Sequence, residues 1–238
     1  MISVCMAAYN GEKYIREQLL SILPQLGPMD EVIISDDGSS DRTREIVESL
    51  HDLRIHWIEN HGEHGYTQNF ENAMRHCHGD YIFLADQDDV WKPNKVTVMM
   101  KALEHKSFAV HDTEMTDEDL VIFDPSQFDR YHVKPGFWHT FVRNRYNGCC
   151  MAFTRKFMEK ALPFPADHDL CRYDYWLPYI AEFEHDSAFV KESLIYYRRH
   201  SGTALNAGEG SSRSIKERIV SRLYGLKELL KREMERSH

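Results

Sequence analysis

The chain is 238 residues long, 42% hydrophobic and 12% aromatic, with a formal net charge of −9. A chain of that size buries one full core, or a core with a small appendage, and its acidic balance excludes a general nucleic-acid binder, whose phosphate-tracking surface needs a basic excess. No apolar run approaches membrane-spanning length, Met1 leads directly into an apolar strand, and the five cysteines (Cys5, Cys77, Cys149, Cys150, Cys171) lack paired Cys-x-x-Cys spacing. The expectation is a cytoplasmic protein with reduced, structural thiols.

The first two-fifths alternate strand and helix. Ile2 to Ala8 is an apolar strand, and Ile15, Leu19, Ile22 and Leu23 recur at helical spacing, which predicts a helix over Gly11 to Leu23 stopped by Pro24. Glu31 to Asp36 is a second strand. Thr43, Ile46, Val47 and Leu50 mark the next helix, Ile55 to Ile58 a short strand, and Phe70, Ala73, Met74 and Cys77 another helix closed by Gly79. The strand Tyr81–Ala85 then runs into Asp86-Gln87-Asp88-Asp89, followed by a helix from Pro93 with Val96, Met99, Met100 and Leu103 on one face. Strands joined by crossover helices predict an α/β fold, a mostly parallel central sheet with helices on both faces.

After a strand at Phe108–His111 the pattern loosens. Residues 113 to 146 carry no long periodic segment and read as a substrate-specific flap. Regularity returns with a strand at Cys149–Phe153, a helix around Arg155–Leu162, a helix over Tyr175 to Glu184 and a strand at Leu194–Arg198. A Gly/Ser-rich linker over 201–213 precedes a C-terminal helical extension over 214–238. That segment has seven Lys/Arg against four Glu, unlike the acidic body. Such a helix docks on an anionic membrane surface or packs on the domain or on a second subunit of a homodimer, and packing is the plainer expectation.

Three strand ends finish in polar residues: Ala7-Ala8-Tyr9-Asn10-Gly11, Ser35-Asp36-Asp37-Gly38-Ser39-Ser40-Asp41, and the acidic turn after Ala85. Parallel strands point their carboxyl ends the same way, so these tails converge on one rim, where ligands bind in open α/β sheets. Asp36 and Ser39 alone read equally well as helix-capping residues. Three carboxylates within four residues repel one another unless a cation sits among them, and oxygen ligands suit a hard divalent ion, Mg²⁺ or Mn²⁺.

Tyr9-Asn10-Gly11, Asp36 to Asp41, Gly79-Asp80-Tyr81 and Asp86-Gln87-Asp88-Asp89 together resemble the ordered motifs of family 2 glycosyltransferases, inverting enzymes of the Rossmann-like GT-A fold. The resemblance runs from the first strand to about His200. It implies a glycosyltransferase domain over 1–200, with a nucleotide-binding half (1–112) and an acceptor half (113–200). Asp86 to Trp91, Tyr173-Asp174-Tyr175-Trp176 and Tyr197-Arg198-Arg199-His200 look most like rhamnosyltransferases that build bacterial surface polysaccharides.

The resemblance places Ala7 and Tyr9 at the nucleotide, Asp37 at the base imide and Asp86 at the ribose. It places Asp88, Asp89 and His200 at the metal, and Asp174 as general base. The implied partners are a dTDP- or UDP-linked sugar donor and a saccharide or lipid-linked acceptor. Asp112, Gly148 and Trp176 are weaker candidates for contact with donor or acceptor sugar. For Asp174 the plainer reading is an aspartate N-cap; for Trp176 it is core packing. One departure is Gln68, where many relatives carry Arg or Lys facing phosphate. A sugar nucleotidyltransferase would need a Gly-rich, basic loop after the first strand, and Ala7 to Gly11 is not one. A non-catalytic sugar-nucleotide-binding module would not need Asp174 or the acidic triplet.

Overall fold

The computed structural model describes residues 1–200 and 214–236. The expected linker falls outside them, apart from its flanks. The first half alternates as the periodicity predicts: β1 (Ile2–Ala8), α1 (Ile15–Ile22), β2 (Glu31–Asp36), α2 (Thr43–Glu48), β3 (Ile55–Glu59), α3 (Tyr66–Arg75) and β4 (Tyr81–Asp86). There follow β5 (Val90–Trp91), α4 (Lys95–Leu103), β6 (Phe108–Thr116), β7 (Ile122–Asp124), α5 (Gln127–Arg130) and α6 (Phe137–Arg143). The chain closes with β8 (Met151–Thr154), α7 (Arg155–Ala161), α8 (Tyr173–Phe183), β9 (Ser187–Arg198) and α9 (Ile215–Arg236).

The strands form one mixed sheet in the order β3-β2-β1-β4-β8-β6-β9-β5, with β7 on β6. The pairs β3–β2, β2–β1, β1–β4 and β6–β9 are parallel, and β8, β5 and β7 run against their neighbours. The sheet is therefore mostly parallel, as expected. β1 is almost wholly buried and β2 entirely so, which is why they read as continuous apolar runs instead of alternating ones. The chain leaves β1 towards β2 on one side, while β4 lies on its other side, so a topological switch point opens between β1 and β4. Register makes the rim level: Ala7 pairs with both Ser35 and Asp86, and Ala8 with Asp36.

Several boundaries differ from the sequence reading, each for a local reason. α1 starts at Ile15, because Gly11 carbonyl first accepts from both Tyr14 and Ile15 amides at 3.0 Å in a turn. Cys149 and Cys150 lie in a short 3-10 turn before β8. β6 runs on to Thr116 and β9 begins at Ser187; register shifts around Asp112 interrupt the alternation that would have revealed them. Asp174 does not cap α8. Arg172 is the N-cap, and Asp174 lies inside the first turn.

One face of α9 joins the main core. Ser221 and Leu229 are buried, Ser221 hydroxyl donates to Leu170 carbonyl, and a Cβ at Gly225 would stand 2.9 Å from the Tyr179 ring. Arg232 donates to the carbonyls of Lys160 and Ala161 at 2.8 and 2.6 Å and lies 4.9 Å from the centre of the Trp176 ring. The packed alternative therefore holds for that face. No helix among the described residues is long and apolar enough to cross a membrane.

Candidate active site

The three strand ends are stitched together by side chains. Gln87 accepts from Tyr9 amide at 2.9 Å and returns a hydrogen bond to Tyr9 carbonyl at 2.8 Å, which ties the acidic turn to the end of β1. Asn10, in the left-handed region at φ 49°, accepts from Ser40 amide, and its own amide donates to Ser39 hydroxyl. Gly11 amide donates to Thr43 hydroxyl at 2.7 Å. A Cβ here would stand 2.3 Å from Gln87 Oε1, so a larger residue must displace the Gln87 side chain from Tyr9. Gly11→Val is expected to displace Gln87 and lose about 1–2 kcal/mol of stability, to be read from urea denaturation midpoints.

Tyr9 and Asp37, expected at the nucleotide, both lie on this rim. Tyr9 is 57% exposed at the rim, a ring face free to meet a base. Asp37 accepts from Asn60 Nδ2 at 2.8 Å, His64 Nδ1 at 3.1 Å and Gly65 amide at 2.8 Å. A carboxylate offers about four lone-pair positions, so the three contacts fix its orientation and leave one position for a ligand N–H. Asp36, by contrast, is spent on its own loop, accepting from Gly38, Ser39 amide and Ser39 hydroxyl.

The acids of the turn after β4 diverge in role. Asp88 Oδ2 lies 2.8 Å from His200 Nε2, both partly exposed, and the His200 ring packs 4.7 Å from that of Tyr14. Asp89 is buried; its Oδ1 accepts from Arg198 amide at 3.1 Å, and its Oδ2 has no hydrogen-bond partner. Burial and then the neighbouring Asp88 push Asp86 up to about 7 and Asp89 well above the usual carboxylate range. Asp174 adds to the shift of Asp86, so α8 brings it close enough to act electrostatically on the acidic turn.

A cation does sit behind these acids, and it is Lys95. The side chain is fully buried, donates to Cys149 carbonyl at 2.7 Å, and lies 4.0 Å from the centre of the Trp91 ring. Burial pulls its pKa down to about 8, against the raising effect of Cys150, Cys149, Asp89 and Asp86. Arg198 clamps the turn from the other side, donating to Asp88 carbonyl at 2.8 Å and to Glu17 at 2.5 Å. It is a structural brace, fully committed to protein partners.

Two arrangements offer metal-ligating atoms. Asp86, Asp89 and Cys149 place one atom each within 4.8 Å of one another. Burial raises the Cys149 thiol well above its usual range. A protonated soft sulfur beside Lys95 is a poor match for Mg²⁺ or Mn²⁺. Asp88 and His200 suit a hard divalent ion better. They are reachable from solvent, and burial with the Asp88 charge raises the pKa of Asp86 beside them to about 7. Asp89, also expected as a ligand, gives one oxygen to the β9 backbone and keeps the other, Oδ2, without a hydrogen-bond partner.

Asp174 is 9% exposed and paired with Arg172, whose Nε lies 3.3 Å from Oδ1 and whose Nη2 lies 3.3 Å from Oδ2. Arg172 in turn lies 5.0 Å from the ring centre of Tyr175 and 6.0 Å from that of Tyr66. The Nη2–Oδ2 contact is a hydrogen bond, while the Nε–Oδ1 contact is an ion pair without hydrogen-bond geometry.

Three weaker candidates are corrected. Trp176 is fully buried, with Nε1 donating to Ala161 carbonyl at 2.8 Å, so no ring face is available to a sugar. Asp112 is buried and accepts from Thr113 and Phe128 amides and from Ser126 hydroxyl, which anchors α5. Gly148 does allow a close approach, but the atom it admits is Tyr173 Oη, 2.0 Å from where a Cβ would be. Tyr173 is buried against Asp86, Asp174 and Cys149.

Gln87, Lys95, Arg172 and Tyr173 were missed as site-forming residues. Lys95 had a signal, a lysine in register with the apolar face of Val96 and Met99. The others had none in sequence. Gln68, the departure from the basic pattern, faces His168 at 3.1 Å.

A polar rim at the switch point of a Rossmann-like mixed sheet, with an acidic turn at the end of β4, fits the GT-A fold. A model described as Glycosyl transferase family 2 matches residues 3–163, and the chain belongs to that family. Escherichia coli WfaP, a UDP-Glc:alpha-D-GlcNAc-diphosphoundecaprenol beta-1,3-glucosyltransferase, is 32% identical over 123 residues, covering 51% of this chain and 49% of WfaP. The chain spans about half to two thirds of the length of the curated relatives it matches. The structure of S. aureus TarS 1-349 with UDP-GlcNAc superposes with a TM-score of 0.72 at 17% identity, covering 98% of this chain and 72% of that one. Mannosyltransferase PcManGT from Pyrobaculum calidifontis, with GDP-Man and Mn²⁺, gives 0.60 at 20% identity over 81% of this chain and 54% of that one.

Proposed function

We propose that the chain transfers a sugar, with inversion, from a UDP- or dTDP-linked donor to a hydroxyl of a saccharide or lipid-linked acceptor in surface-polysaccharide synthesis at the cytoplasmic face of the membrane. The observation that carries this reading is the meeting of two distant segments. Asp174, from the first turn of α8, is paired with Arg172, and its neighbour Tyr173 packs on Gly148, next to Cys149, whose sulfur lies within 4.8 Å of an Asp86 oxygen at the end of β4. Tyr9 and Asp37 receive the base, and Asp86 faces the ribose. The acceptor oxygen attacks the anomeric carbon as the carbon–oxygen bond to phosphate breaks. Its proton passes to Asp174, and the nucleoside diphosphate leaves. A single displacement inverts the anomeric centre.

Asp88 and His200 are the residues that would hold Mg²⁺ or Mn²⁺, which as a Lewis acid supplies charge stabilisation for the leaving diphosphate. The acceptor in the name of WfaP, a diphosphoundecaprenol-linked sugar, supports a lipid-linked acceptor here. Rhamnose is the sugar favoured by the resemblance of Asp86 to Trp91, Tyr173 to Trp176 and Tyr197 to His200 to rhamnosyltransferases. A panel of UDP-, dTDP- and GDP-linked sugars, read by metal-dependent release of nucleoside diphosphate, tests both levels. The expected result is turnover with a dTDP- or UDP-linked hexose; turnover with GDP-sugars alone would overturn the base assignment. Turnover with UDP-glucose but not dTDP-rhamnose would overturn only the sugar.

A further inference from the structure

The outward face of α9 is apolar although its inward face is already used. Ser221, Gly225 and Leu229 face the domain, and on the other side Ile215, Ile219, Leu223, Leu230 and Met234 form an exposed stripe at helical spacing. The stripe is substantial, with Leu223 57% and Met234 69% exposed. Exposed lysines Lys216, Lys227 and Lys231 follow one edge of it. The patch does not end with the helix. Arg222 donates to the carbonyl of Val142 on α6 at 3.0 Å, and α6 adds exposed Val142, Arg143 and Trp138, the last 72% exposed. Immediately after α6, Asn144 Nδ2 donates to Asp174 carbonyl at 2.6 Å.

We propose that the joint face of α6 and α9 docks on an anionic lipid surface. An amphipathic helix lying in a bilayer interface needs an apolar stripe, a basic edge and interfacial aromatics, and this face has all three. Charge selects this occupant. The protein carries −9 overall, yet its exposed apolar face is bordered by Lys216, Lys227, Lys231 and Arg143, with Glu235 paired to Lys231 at 3.9 Å. Those cations complement a negatively charged leaflet, whereas a two-fold contact with a second copy about Leu226 would oppose Lys227 to itself. The inference goes beyond the transfer reaction and does not depend on it. It also places the docked face beside Asp174, through Asn144, so a lipid-held acceptor would be presented where the proposed base lies.

The test is co-sedimentation of the full chain with vesicles of phosphatidylcholine alone and of phosphatidylcholine with phosphatidylglycerol. Expected is retention by the anionic vesicles that weakens with added salt. Each lysine near such a surface is worth roughly fivefold in partitioning, so Lys227→Glu with Lys231→Glu is expected to lower binding by at least about twentyfold. Leu223→Ser with Leu230→Ser is expected to abolish it, with both variants keeping the parent's thermal melt and its turnover of a soluble acceptor. Absence of vesicle binding, or binding unmoved by either pair, would overturn the proposal. So would a concentration-dependent dimer that the Leu223 and Leu230 changes dissociate, because the face would then belong to a second copy.

Discussion

Asp174→Asn is expected to lower sugar transfer by about 10²–10⁴-fold, the range for loss of a positioned general base, while leaving nucleotide affinity nearly unchanged. The substitution keeps the shape of the side chain and removes its basicity. It also removes a charge from Arg172, which lies 3.3 Å from both carboxylate oxygens, so a loss of about 1–3 kcal/mol in stability is expected alongside. The two effects separate experimentally. Calorimetric titration with UDP or dTDP reports whether the nucleotide cleft survives, and denaturation midpoints report the Arg172 cost. Turnover measured well below the variant's melting temperature then isolates the chemical step. Full turnover in Asp174→Asn would show that another group takes the proton.

The second large effect joins pH to metal. Asp86 has a folded pKa of about 7 against an ordinary 3.8, raised by burial and by Asp88. Between those values the folded protein keeps a proton that the unfolded chain has released. The unfolded state thus binds fewer protons, and the Asp86 contribution to stability declines as pH rises through that window. A shift of that size corresponds to a few kcal/mol at most. Glu31, Asp41 and Asp52 have lowered pKa values and act in the opposite sense, so the raw stability curve mixes both.

The difference made by a divalent ion isolates the site. Positive charge beside Asp86 favours its ionised form, and ligand deprotonation makes affinity pH-dependent. The expected result is a thermal shift on adding Mn²⁺ that is several degrees larger at about pH 7.5 than at about pH 5.5. Asp88→Asn is expected to remove most of that shift and to reduce turnover by about 10²-fold or more. An equal shift at both pH values would mean that the ion does not displace the Asp86 proton. A shift unaffected by Asp88→Asn but lost in Asp89→Asn or Cys149→Ser would move the ion to the inner cluster.

The legible part of this protein is the part written in local signals. The parallel half, β1 to β4, follows from apolar runs and helical spacing, because strands buried on both faces must be apolar and their crossover helices amphipathic. Tyr9, Asp37 and Asp86 are legible for the same reason: they follow immediately after those runs, at carboxyl ends that parallel pairing brings level. β6 and β9 were read too short, since the register shifts around Asp112 break the alternation. Trp176 was a fair candidate by composition, but burial belongs to the packing of α8 against α7 and α9 and leaves no mark in a four-residue motif.

By itself the sequence determined the α/β class, the rim at the ends of β1, β2 and β4, and an acidic turn that requires positive charge. Each is a short-range consequence of which residues follow an apolar strand. Only the tertiary structure decided which positive charge answers those acids from within. Lys95 enters from the next helix and lies buried behind them. It likewise separated Asp88, partly exposed and facing His200, from Asp89, buried with one oxygen on the backbone of Arg198 and the other without a hydrogen-bond partner. Adjacent aspartates look alike in sequence, but neighbouring side chains on an extended turn point different ways. Burial, desolvation and the partners each one meets then give them different chemistry.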